Sequence, residues 1–222
     1  MAFNIFMADI YQRLKPLGFN PSFVREVILP DWWDDECASV PANRALAEAS
    51  IAKHLRISIK YLCDATAPLN LPQTVPIRLK SATRGTNPEA IRPSIVIAQR
   101  AAEVLAQGAA RLPVDAASWS AAKVRSQLLA AEETVTLKNL LDFCWERGIV
   151  VAHLDRLPSE PGFRKFDGLA LFVDHRPCIL LAEKHDAPAM LAFHLAHELG
   201  HLMHGHVAPG RELLPDDNLD PV

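Results

Sequence analysis

The stretch "GLALFVDHRPCILLAEKHDAPAMLAFHLAHELGHLMHGH", residues 168–206, decides how this chain folds. Two apolar runs, "GLALFVD" and "CILLAEK", flank the polar break "HRP", and that pattern predicts a β-hairpin. Asp186 and Pro188 are helix start signals, and "AMLAFHLAHELGHLMHG" then runs without proline to Gly205, which predicts one helix behind the hairpin.

Five of the nine histidines lie between Phe193 and His206, so that helix carries the chemistry. At 100° per residue, His197 and His201 stand ~40° apart on one face and one turn apart in height. Two imidazoles so placed can bind one metal ion. Glu198 stands about 100° round from His197, beside the metal edge. "HELGH" is thus the H-E-x-x-H arrangement, which this composition would produce by chance roughly 0.02 times. In that arrangement the histidines hold Zn²⁺, and a third ligand and a water complete the tetrahedron. Zinc lowers the pKa of its water toward ~7. Glu198 takes the proton and passes it to the leaving amine. The expected metal ligands are therefore His197 and His201, and the expected catalytic residue is Glu198. His194 and His204 share the same face, with His204 near the helix end. His206 follows Gly205 and is expected to cap the C-terminus. His54, His153, His175 and His185 are scattered and expected to be structural.

Upstream, "IVVAHLD" is apolar and bounded by Gly148 and Pro158, which predicts a strand. "PSIVIAQRAAEVLAQG", "SWSAAKVRSQLLAAEE" and "TLKNLLDFCWERG" predict helices, the first opening at Pro93 and the last stopped by Gly148. Residues 68–93 hold five prolines, a density that predicts a linker or an extended segment. Residues 1–70 predict helices broken at Pro16, Pro21, Pro30 and Pro41. Helices, then strands, then a helix argue α+β.

A formal charge of −3 gives no global pull toward nucleic acid or anionic membrane. No apolar run approaches the ~20 residues of a membrane span. The N-terminus lacks a basic n-region and carries Asp9, so no signal peptide is expected. Cys37, Cys63, Cys144 and Cys178 form no CxxC pair, which predicts reduced thiols and a cytoplasmic setting.

"LAFHLAHELGHLMHGH", the preceding hairpin and "GIVVAHL" resemble the ImmA/IrrE metallopeptidases over roughly residues 90–222. The resemblance implies a small gluzincin-like domain, with His197 and His201 as zinc ligands and Glu198 as acid/base. It implies that Gly200 keeps the helix slim near the site. It also implies a substrate that is a repressor-type regulator of transcription. The family's third ligand is a glutamate in a segment like "EANxFA", about thirty residues past the first histidine. This chain has no such segment, and Glu212, Asp216, Asp217, Asp220 or a partner chain are the remaining candidates. Two imidazoles alone make a weak zinc site. Weak zinc binding and low or no peptidase activity are therefore expected unless one of these completes it.

"NRALAEASIAKHLRISIKYLCDAT" resembles the central helices of a repressor-type helix-turn-helix. Ala52, Leu55, Ile57 and Leu62 are spaced as packing residues, Ser58 as a cap, and Lys53, Arg56 and Lys60 toward DNA phosphates. Residues 1–80 carry nine basic and eight acidic side chains, a balance that favours a structural or partner-binding role over DNA. "LPDWWDDECASVP" predicts Trp32 and Trp33 as a hydrophobic staple with Asp31 as cap, or else a partner anchor. The expected organisation is a helix-turn-helix-like domain over 1–80, a proline-rich linker to about 92, and a metallopeptidase domain over 81–222. The expected function is a zinc endopeptidase. The alternatives are a non-catalytic, antitoxin-like binding module and a DNA-binding repressor.

Overall fold

The computed structural model describes residues 6–72, 87–109, 112, 118–130, 132–182 and 187–207. The fold is α+β and divides into two compact units. The described residues up to 72, with 87–101 and 154–165, form the first. Those within 102–153 and 166–207 form the second, and the boundary falls inside one helix.

In the first unit, α1 (Met7–Leu14) buries Met7, Ile10, Tyr11 and Leu14, the stripe of an amphipathic helix. Gly18, at φ +95°, ends the following 3₁₀ turn. A Cβ there would come within 2.8 Å of the Pro93 ring, so glycine is needed for space as well as conformation. Asn20 caps α2 (Pro21–Phe23), accepting from the Phe23 N–H at 2.7 Å, and the chain continues in a π turn over Val24–Ile28.

Trp32 is exposed, and the cap after the tryptophans is Asp34 rather than Asp31. The Trp33 N–H bonds back to the Pro30 carbonyl at 2.8 Å, so the next helical turn starts only at Asp35. Pro41 opens α3 (Pro41–Leu55), which joins α4 (Ile59–Cys63) through Arg56 in the left-handed region. Ala52, Leu55, Ile57 and Leu62 are buried, as their spacing predicts. Ser58 stands at the N-cap of α4 without a side-chain cap hydrogen bond. The Arg13 guanidinium donates to the carbonyls of Tyr61, Leu62 and Ala67 at 2.5–2.9 Å, which closes the end of α4.

α5 (Pro88–Gly108) begins before Pro93 and carries that proline inside it. Proline has no N–H for the helical ladder. Beside this gap, the Ala90 carbonyl accepts from the Arg164 N–H at 2.7 Å and Ser94 Oγ donates to the Arg164 carbonyl at 2.8 Å. The loop thus supports the helix where its own hydrogen bonding is interrupted.

In the second unit, α6 (Ala121–Leu129) is capped by Ser120 and is shorter than its sequence pattern suggests. A Thr136–Asn139 capping box opens α7 (Leu137–Glu146), and Gly148 at φ +74° stops it. β1 (Val150–His153), β2 (Gly168–Val173) and β3 (Arg176–Leu181) form a sheet of order β1-β3-β2. β1 lies parallel to β3, and β2 antiparallel to it. The predicted hairpin is present, but its turn is Asp174-His175, both at positive φ, and Arg176 and Pro177 belong to β3. Proline is tolerated in this middle strand because pairing with β1 starts one residue later, at Cys178. The predicted helix is α8 (Pro188–Met203), with Pro188 in its first turn. Leu195, Leu199 and Leu202 pack with Val151, Ala170, Ile179, Leu181 and the apolar faces of α6 and α7. All four cysteines are free thiols. Among the described residues, no helix is long and apolar enough to cross a membrane.

Candidate metal centre

Burial of the Leu195–Leu199–Leu202 stripe fixes the rotation of α8, and that rotation sets out the polar side chains. His197 and His201 fall at the partly exposed edge, while Glu198 is wholly buried. The two rings meet edge to face, with centroids 4.8 Å apart, and their Nε2 atoms are 3.2 Å apart. A tetrahedral ion with metal–nitrogen bonds of 2.0–2.1 Å needs its nitrogens about 3.3 Å apart. The imidazoles therefore already stand at chelating separation. The ligand atoms of His197, Glu198 and His201 lie within 4.8 Å of one another, and this group could hold a metal ion.

Glu198 owes its place to Gly168, the first residue of β2. A Cβ at that position would lie 2.8 Å from both Cγ and Oε1 of Glu198 and 3.1 Å from Cδ. The strand passes too close to the carboxylate for any side chain. At Gly200, in contrast, an added Cβ would meet nothing within 4 Å, so no packing demands a glycine there.

The end of α8 folds back onto the site. Gly205, at φ +64°, lets the His206 N–H reach the His201 carbonyl at 3.0 Å and its own N–H reach Leu202 at 3.1 Å. This is the Schellman pattern of helix termination. It carries the His206 ring beside His201, with their Nδ1 atoms 3.0 Å apart. The expected capping by His206 is therefore made by its backbone, and its ring does something else. His204 stacks on His206 with ring centroids 5.5 Å apart.

His194 is buried and lies outside the His197–Glu198–His201 group. His54 bonds the Ser50 carbonyl one turn back at 2.8 Å, and its burial pushes its pKa down. His153 and His175 are exposed. Asp186, His185, Glu212, Asp216, Asp217 and Asp220 lie outside the described residues. Gly168 is not singled out by the sequence, and His206 is read from it only as a helix cap, not as a neighbour of His201. A glycine opening an apolar strand and a Gly-His pair closing a helix were the signals available.

No protein-family model, no curated protein and no solved structure matches this chain.

Proposed function

We propose that the chain is a zinc-dependent endopeptidase of ImmA/IrrE type that cleaves a repressor-type regulator protein. The observation that carries this reading is the His197–His201 pair at chelating separation with Glu198 on the same helix turn. His197 and His201 would hold the ion through Nε2. When bound, zinc lowers the pKa of a water toward about 7 and polarises a carbonyl. Glu198 accepts a proton from the attacking water and returns it to the nitrogen of the departing chain. Its burial against Gly168 keeps that carboxylate out of bulk solvent and in one orientation. Glu212, Asp216, Asp217 and Asp220 are candidates for the remaining ligand, as is a partner chain.

The test has two arms. Metal analysis of the zinc-replete protein should find up to one zinc per chain, lost when His197 and His201 are both replaced by alanine. Cleavage of a helix-turn-helix regulator should then disappear in Glu198→Gln while zinc is retained. Absence of zinc in the parent protein rejects the reading. Zinc binding with no turnover in either protein favours a non-catalytic binding module on the same scaffold, and equal turnover in both rejects Glu198 as the acid/base.

A further inference from the structure

We infer that His206 is a positioning residue that sets the tautomer and ring orientation of His201 for metal binding. The inference rests on the metal-site reading above and adds a residue to it. Two Nδ1 atoms 3.0 Å apart form a hydrogen bond when one of them carries the proton. If His201 Nδ1–H donates to His206 Nδ1, the Nε2 of His201 is left with its lone pair on the side facing His197. That is the tautomer a metal ligand requires, and metal-bound histidines regularly donate their second N–H to an acceptor.

Geometry excludes the simpler reading of His206 as a third ligand to the same ion. Nδ1 and Nε2 lie on different edges of the imidazole. An ion between the Nε2 atoms of His197 and His201 lies at one edge of His201, and His206 Nδ1 lies at the other. The backbone supports the assignment independently. Gly205 takes positive φ, and the hydrogen bond from the His206 N–H to the His201 carbonyl ties together the same two residues whose rings meet. His204 stacks on His206 with ring centroids 5.5 Å apart and takes no part in the Nδ1–Nδ1 contact. One short sequence, "HGH", thus both terminates the helix and orients the second ligand.

The experiment uses the full chain with cobalt(II) as a visible probe and zinc in competition. It compares the parent with His206→Ala, His206→Asn, His204→Ala and His197→Ala. Cobalt affinity should fall about 10- to 100-fold in His206→Ala, the usual effect of losing an outer partner of a ligating histidine. It should recover in His206→Asn, whose side-chain oxygen can accept the same bond, and stay unchanged in His204→Ala. Helical circular dichroism should be the same throughout. Long-range ¹H–¹⁵N correlation on the metal-free protein gives a readout that does not depend on affinity. His201 should be protonated at Nδ1 in the parent and shift toward Nε2 in His206→Ala. Cobalt binding that vanishes in His197→Ala but is untouched in His206→Ala, with the His201 tautomer unchanged, overturns this inference and leaves the metal site standing. Equal cobalt binding in the parent and His197→Ala removes the metal site and the inference with it.

Discussion

Gly168 and Glu198 occupy one space: a Cβ on the strand residue would sit 2.8 Å from the helix residue's Cγ and Oε1. Gly168→Ala should therefore displace a wholly buried carboxylate. Overpacking of this kind costs about 1–3 kcal/mol. We expect a lower urea midpoint and loss of hydrolysis, with zinc still taken up, since the three atoms nearest the added methyl all belong to Glu198. Unchanged stability and turnover would show that Glu198 relaxes freely.

A pH dependence follows from two buried thiols. Burial raises Cys144 from an ordinary 9.0 to about 12 and Cys178 to about 11. Between those values the folded chain holds protons that the unfolded chain has released. Stability is thus fully present below pH 9 and falls as pH rises from there through the folded values. The slope is at most about 1.4 kcal/mol per pH unit for each thiol. Urea midpoints at pH 8 and pH 10.5 should differ in the parent and differ less in a Cys144→Ala/Cys178→Ala variant. Equal slopes in the two proteins contradict the assignment.

The hairpin turn is improvable. Asp174 and His175 take φ of 48° and 64°, a conformation that costs an L-residue roughly 1–2 kcal/mol. Asn-Gly is the preferred pair for such a turn, although glycine loses about 0.5–1 kcal/mol in backbone freedom. The double change Asp174→Asn, His175→Gly should still gain up to about 1 kcal/mol, read as a higher thermal midpoint. A lower midpoint would mean that the His175 side chain stabilises the native turn.

DNA binding by this chain alone should be weak. α4 has five residues, and residues 1–80 carry nine basic against eight acidic side chains. Lys53, Arg56 and Lys60 are exposed, yet three cations release few counterions. Fluorescence anisotropy at physiological salt should find no sequence-specific complex in the ~10 nM range. Finding one would favour a repressor over a peptidase.

The parts legible in the sequence were those governed by local periodicity and punctuation. The two apolar runs around "HRP", the proline-free run of α8 and the stops at Gly148 and Gly205 marked out the hairpin and the helices. The spacing of His197 and His201 foretold that their rings meet, because one helical turn fixes their separation. What was not legible depended on partners distant in sequence. Pro93 reads as a helix start, but Arg164 supports the backbone beside it and α5 extends back to Pro88. Gly168 reads as a strand boundary until α8 places Glu198 on it. His206 needed the positive φ of Gly205 to turn it back, and a glycine in sequence does not say which way the chain will fold.

The sheet's connectivity bears on how the chain is made. β2, β3 and α8 follow one another and can associate soon after they leave the ribosome. β1 comes out earlier, and its partner is the later β3, with Val150 registered against Cys178. The intervening chain includes residues 154–165, which belong to the other compact unit. Closing so long a connection is entropically unfavourable until the strands pair. During synthesis "IVVA" is thus an apolar strand awaiting a neighbour that lies more than twenty residues further along the chain.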